Sequence, residues 1–215
     1  MVKIKWLGHA CFEIKGKDVT VVTDPHDGAS LGLHEPRSEA DIVLVSHTHF
    51  DHAKGVELVK KKGTIVFKER SGEWEEKGVK IRGVFTYHDE SRGRERGGNV
   101  VYVFEVDGIR FCHLGDLGHI LTSDQVEQIG DVDVLFVPVG GTYTIDAKGA
   151  TKVVEMLKPK IVIPMHYRIG GITLPISGVE PFLEGKENVE KVGSREYEVT
   201  KETLPEKTKI VVLTM

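Results

Sequence analysis

The chain has 215 residues, enough to bury about 70% of its unfolded surface and to form a core without disulfides or a partner. Its 40% hydrophobic and 29% charged content is that of an ordinary globular protein, and no apolar run approaches the roughly 18 residues of a membrane helix, so no membrane partner is expected. The formal charge of -4 argues against a general nucleic-acid binder, which needs a basic face.

Residues 1–7 read as a strand and lack the apolar stretch and small-residue cleavage site of a secretory signal, so a cytoplasmic location is expected. Cys11 and Cys112 stand alone without a C-x-x-C pair, which suits a reducing compartment and small core positions. Asn99, Asn188, Gln125 and Gln128 are the only side-chain amides beside abundant Lys and Glu, a bias of the kind found in proteins from hot environments.

Short apolar or alternating runs at residues 4–7, 11–14, 19–23 and 42–46 read as strands. Residues 55–62 read as a helix, and strands follow at 64–67 and 79–85. Beyond Gly97-Gly98, runs 100–106 and 109–113 flank Asp107-Gly108, the strongest short hairpin signal. Helices are expected at 123–129, with Thr122 as cap, and at 147–157, capped by Asp146. Runs 134–137 and 161–165 are almost continuously apolar, as in strands covered on both faces, and 209–215 reads as one further strand. Meandering strands followed by strands alternating with helices imply an α/β (α+β) fold, a four-layer αββα sandwich in one domain over residues 1–215.

Chemistry concentrates in Ser46-His47-Thr48-His49-Phe50-Asp51-His52, which follows directly on an apolar strand. Residues two apart in an extended segment point the same way, so His47 and His49 can bite one metal while the turn sends Asp51 and His52 towards a second. A solitary histidine in a polar loop is usually a surface residue, but three His and one Asp within six residues are a ligand pattern. Structural zinc sites are mostly rich in thiolate and closed, and this cluster has no nearby Cys.

The cluster resembles the signature of the metallo-β-lactamase superfamily, and the resemblance runs along nearly the whole chain. Asp24, in Val22-Thr23-Asp24-Pro25, resembles the first acidic motif, which supports a ligand histidine from behind. His88, in Thr86-Tyr87-His88-Asp89, resembles the third-motif ligand, and His113 is its nearest competitor, read as packed scaffold. Asp116, in His113-Leu114-Gly115-Asp116, resembles the carboxylate that bridges two metals, and His166, in Pro164-Met165-His166-Tyr167, the last-motif ligand. The segments 6–12, 115–119 and 138–143 resemble the compact branch of predicted metal-dependent hydrolases, whose relatives by resemblance include ascorbate-6-phosphate lactonase and N-acyl-phosphatidylethanolamine phospholipase D. The chain lacks the Cys ligand of some antibiotic-hydrolysing members and the long insertion of tRNA-processing nucleases, which argues against both activities.

The resemblance implies that His47, His49 and His88 hold one divalent ion, Asp51, His52 and His166 a second, and that Asp116 lies between them. Zinc suits the His-rich set best, and manganese or iron is compatible with it. Two ions roughly 3.5–4 Å apart can lower the pKa of a bridging water towards roughly 7 and polarise the oxygen of the group attacked by the resulting hydroxide. Asp51 is then expected to orient the nucleophilic water or accept its proton, Asp24 to fix a histidine tautomer and Asp116 to bridge.

Arg92, Arg94 and Arg96, just beyond His88, can hold a phosphate or carboxylate, while Glu90 and Glu95 dilute that patch. His9, His119, Tyr143, Tyr167 and Arg168 each lie near a motif and are further candidates for the mouth, or ordinary packing residues. The leading expectation is a hydrolase of a small, anionic ester, lactone or phosphoester. A metal-dependent nuclease or phosphodiesterase and a non-catalytic metal-binding module are the alternatives. A homo-oligomer is compatible with the fold, and no sequence stripe defines an interface.

Overall fold

The computed structural model describes residues 1–215. The chain opens with the strands β1 (Val2–Gly8), β2 (Cys11–Lys15), β3 (Thr20–Thr23) and β4 (Ala40–Val45). Two short helices, α1 (Phe50–Ala53) and α2 (Val56–Val59), lead into β5 (Lys60–Lys68). A second meander comprises β6 (Gly72–Glu76), β7 (Val79–Tyr87), β8 (Gly98–Val106) and β9 (Ile109–His113). Helices and strands then alternate as α3 (Ser123–Ile129), β10 (Val134–Pro138), α4 (Ala147–Leu157) and β11 (Ile161–Met165), followed by α5 (Glu180–Leu183), β12 (Val189–Lys191), β13 (Glu196–Val199) and β14 (Lys209–Val212).

These strands make two sheets, of order β13-β1-β2-β3-β4-β5 and β12-β14-β11-β10-β9-β8-β7-β6. Side-chain alternation divides the first sheet between two apolar layers. Ile4, Trp6, Phe12, Ile14, Val21, Ile42 and Leu44 join the large core shared with the second sheet. Their neighbours Leu7, Cys11, Val22, Val43 and Val45 instead pack with Val56 and Val59 of α2 on the other face. The second sheet is covered outside by α3 and α4, whose Ile129, Ala150, Val153 and Leu157 are buried. The result is the expected αββα sandwich. Both cysteines are buried and free, and no helix is long and apolar enough to cross a membrane.

Local chemistry accounts for several boundaries. Asp107 and Gly108 both have positive φ, 49° and 76°, as a type I′ turn requires, and they join β8 to β9 in register Val106↔Ile109. Thr122 and Gln125 form a reciprocal capping box at the start of α3, and the Asp146 side chain accepts from the Gly149 N–H at the start of α4. The helix expected at 55–62 is corrected: it stops at Val59, and Lys60 begins a strand. There Ala40 pairs with Lys60, and Thr64 Oγ donates to the Ala40 carbonyl at 2.7 Å. The Lys60-Lys61-Lys62 run decorates a sheet edge, where charge discourages pairing with other chains. Strands β6, β12 and β13 and helix α5 had no counterpart in the sequence reading.

Candidate metal centre

Strand ends deliver the polar side chains to one place. His9 follows β1, Asp24 follows β3, His47 lies two residues beyond β4, His88 follows β7, Asp116 lies three residues beyond β9 and His166 follows β11. The carbonyl of His49 accepts the N–H groups of His52 and Ala53, each at 3.1 Å, and this turn of α1 directs Asp51 and His52 inward. His49 itself stays exposed, whereas His47, Asp51, His52, His88, Asp116 and His166 are buried.

The Asp116 carboxylate spans the cluster. Its Oδ2 lies 3.5 Å from His47 Nε2 and 3.1 Å from His88 Nε2, while its Oδ1 lies 3.1 Å from His52 Nε2 and 3.2 Å from His166 Nε2. Ligand atoms around one tetrahedral zinc lie about 3.4 Å apart, so these separations suit atoms sharing a cation. His47, His49 and His88 bring ring nitrogens within 4.8 Å of one another, and His9, Asp51, His52 and His166 form a second such group. His47 Nε2, His52 Nε2 and Asp116 Oδ1 are buried without a hydrogen-bond partner, which a cation would supply.

Asp24 governs two of these rings. Its Oδ1 accepts from Ser46 N at 2.7 Å, and its Oδ2 accepts from Ser46 Oγ at 2.6 Å and from His52 Nδ1 at 2.8 Å. The single Ser46 hydroxyl hydrogen is thereby committed, so Ser46 Oγ accepts from His47 Nδ1 at 2.9 Å. Nδ1 of each ring is therefore held as a donor, and Nε2 is the atom each turns to the centre, where a cation would take the place of any proton it carries. A third group of ligand-type atoms, Asp24, His47 and His52, is excluded as a separate site because those contacts already engage both Asp24 oxygens.

Three buried carboxylates face these histidines, and the charge balance is visible in their ionisation. Burial alone would raise the Asp24 and Asp116 pKa values, but the histidine charges outweigh it and lower both, Asp24 through His52 and Asp116 through His166 first. His52 is opposite: burial would lower its pKa, yet Asp116, Asp51 and Asp24 together raise it well above the usual value. Burial, with His52 nearby, holds His47 down to about 3, and burial beside His166 does the same to His9. The cluster is thus short of positive charge, a deficit divalent cations would fill.

Two further residues hold the candidate ligands in place. Asn99 Oδ1 accepts from Asp116 N at 2.9 Å, while its Nδ2 donates to Thr86 Oγ and the Leu114 carbonyl. Gly118 presses on the His88-Asp89 peptide, where an added Cβ would stand 2.2 Å from the His88 carbonyl carbon. Neither Ser46 nor Asn99 was singled out by sequence.

Against known families, residues 3–166 match the model described as a beta-lactamase superfamily domain. The chain belongs to the metallo-β-lactamase superfamily. A UPF0173 metal-dependent hydrolase of Thermococcus onnurineus is 34% identical, with 78% of this chain and 85% of that protein aligned, and one of Thermoplasma volcanium is 36% identical over 77% and 83%. A solved structure from Thermotoga maritima, described as a proposed Zn-dependent hydrolase of the same superfamily, superposes with a TM-score of 0.84 at 43% identity and covers 99% of this chain and 98% of that one.

In this metallo-β-lactamase fold the residues expected at the mouth separate into distinct positions. His9 is wholly buried, and Tyr167 is buried against Trp6, with ring centroids 5.4 Å apart, so neither lines an opening. Both His119 nitrogens are engaged by backbone: Nε2 accepts from Tyr87 N at 3.1 Å and Nδ1 donates to the Ile120 carbonyl at 2.8 Å. Arg168 borders a separate surface cleft with Pro175 and Glu180, and Arg92 and Arg94 are exposed on their loop. Arg96 and Tyr143, by contrast, share with His88 a cavity of about 430 Å³, the guanidinium standing 5.5 Å from the Tyr143 ring centroid. His113 is fixed as scaffold, with Nε2 donating to the Ala10 carbonyl at 2.8 Å and Nδ1 accepting from Gly115 N.

Proposed function

We propose that the chain is a metal-dependent hydrolase that holds two divalent ions, zinc by preference, and cleaves a small anionic ester, lactone or phosphoester. The observation that carries this reading is the Asp116 carboxylate, whose two oxygens face different pairs of histidines. His47, His49, His88 and Asp116 would hold one ion, and Asp51, His52, His166 and Asp116 the other. Bound there, two divalent ions would supply a water activated at neutral pH and an electrophile for the oxygen of the group attacked. Asp51, its side chain 10% exposed beside the centre, is the residue placed to take the proton of that water.

The cavity beside His88 supports a small substrate, since its volume is that of a metabolite pocket and not of a polymer groove. Its wall is prefolded. The buried Asp89 carboxylate accepts from the backbone N–H groups of Ser91, Gly93, Glu95 and Arg96 at 2.8–3.0 Å, which pins the loop that carries Arg96. Arg96, stacked on Tyr143, can hold a carboxylate or phosphate in two-pronged fashion. Glu90, Glu95 and Asp146 around the same cavity disfavour a polyanion such as nucleic acid.

Elemental analysis of wild type and His47→Ala, paired with a screen of lactones and phosphoesters, tests the reading. About two ions per chain, falling in the variant together with turnover, is the expected result. A protein that takes up no metal after reconstitution would be a non-catalytic module.

A further inference from the structure

The turn after β1 places a histidine where the metal-ligand pattern does not call for one. His9 has φ +55°, a left-handed conformation that raises the energy of a non-glycine residue, and it is completely buried. Its carbonyl accepts from Trp6 Nε1 at 3.0 Å and from His166 N at 3.3 Å, and its ring lies 4.0 Å from the His166 ring, centroid to centroid. So fixed, it puts Nε2 3.0 Å from Asp51 Oδ2, the shortest polar contact of the Asp51 side chain, with His52 Nε2 next at 3.3 Å.

The proton on this ring can be located. Nδ1 is buried without a partner, so a proton there would be an unpaired buried donor, and the Nε2 lone pair would face a carboxylate lone pair at 3.0 Å. On Nε2 the same proton is donated to Asp51. His9 Nε2 faces Asp51 and not Asp116, the carboxylate that His47, His52, His88 and His166 all face at 3.1–3.5 Å, which separates it from that ligand set although its Nε2 lies within ligand distance of Asp51, His52 and His166.

We propose that His9 is the positioning residue of Asp51: it donates Nε2–H to Oδ2 and fixes the carboxylate that completes the second metal site and faces the reacting water. Without it, Asp51 would lose its shortest polar contact, on a helix of a single turn, and keep His52 Nε2 at 3.3 Å, an atom that a cation would claim. The inference rests on the two-ion reading above.

The test is titration of metal-free protein with Zn²⁺ in competition with a chelator of known affinity, comparing wild type, His9→Phe and His9→Gln. Because Nδ1 has no partner, phenylalanine removes one interaction and keeps the ring, whereas glutamine retains an N–H donor. Wild type is expected to take two equivalents. His9→Phe should bind the first equivalent as wild type does and the second about 10–100-fold more weakly, with His9→Gln recovering most of the loss. Equal weakening of both equivalents would make the role merely structural, and His9→Gln as weak as His9→Phe would make His9 a ligand; either overturns the proposal. Two unchanged equivalents in His9→Phe overturn it while leaving the two-ion reading intact. A wild type that takes fewer than two overturns both. Should His9→Phe fail to fold, His9→Ala carries the same comparison.

Discussion

Replacing Asp24 with asparagine should weaken both proposed metal sites at once, although Asp24 is a ligand in neither. In the native arrangement Asp24 Oδ2 receives the hydrogens of Ser46 Oγ and His52 Nδ1. Asparagine keeps the oxygen for Ser46 N but turns an NH₂ towards the other two partners. His52 Nδ1 must then accept, which moves the ring proton to Nε2, the atom that faces Asp116 Oδ1 at 3.1 Å. Ser46 Oγ, now also an acceptor from the amide, turns its hydrogen to His47 Nδ1 and displaces that proton to Nε2 as well. Outer partners of ligand histidines contribute about 10–100-fold in metal affinity, or about 1.4–2.7 kcal/mol per site, and here one substitution reaches one histidine in each proposed site. Chelator competition on metal-free Asp24→Asn should therefore show both equivalents weakened. Ser46→Ala, which cuts only the branch to His47, should weaken mainly the site with His49 and His88. If Asp24→Asn loses affinity at one site alone, the relay through Ser46 is wrong; if it loses none, the tautomer argument fails altogether.

Gly118→Ala would drive a Cβ to 2.2 Å from the His88 carbonyl carbon, so a loss of about 1–3 kcal/mol in thermal or denaturant stability is expected, while Gly170→Ala, with no atom within 4 Å, should be near neutral. Acid should destabilise the metal-free protein. The folded-state pKa values of His9 and His47 fall to about 3 from 6.5, so their stabilising contribution is complete above pH 6.5 and is lost as pH falls towards 3, at about 1.4 kcal/mol per pH unit for each. The His52 shift runs the other way: its contribution is complete below pH 6.5, remains so across that acid window, and is lost only as pH rises through its raised folded value. Urea midpoints that stay flat between pH 7 and 5 would contradict this. Asp89→Ala strips four backbone N–H groups of their acceptor, so a stability loss of about 2 kcal/mol and a raised KM are expected while metal content is kept. A loss of metal would instead tie the loop to the centre.

The central strands were legible in the sequence because they are buried, and the edges were not, for the same reason. β10 and β11 are buried at every position, so an apolar run announces them. The four edge strands are β13, β5, β12 and β6. β13 and β6 alternate Glu with half-buried aromatics, β12 is three residues long with two charges, and β5 begins with three exposed lysines. Charge there protects against edge-to-edge pairing and also erases the hydrophobic period from which a strand is read. The lysines of β5 favour helix when read locally, and pairing with Ala40 across the sheet overrode that preference.

The site divides along a similar line. His47, His49, Asp51 and His52 announce themselves because their shared chemistry is compressed into one loop, and His88, Asp116 and His166 because each stands at or just beyond a strand end in an order the resemblance specifies. Positions inferred only from closeness to a motif separate, because sequence neighbours need not face the same way where the backbone turns, as it does at His166 with φ 52°. His166 faces Asp116, and the next residue, Tyr167, turns to Trp6 in the core. What holds the ligands is least legible of all. His9 reaches a partner 42 residues away, Asp24 one 28 away and Asn99 one 17 away, and none of these distances leaves a periodic trace. Ligand positions follow from strand ends, but the tautomers that make the rings competent follow from contacts the fold alone creates. That is why substitutions at Asp24, Ser46 and His9 test the centre more sharply than removal of a ligand: each leaves every ligand in the chain and changes only the hydrogen that faces it.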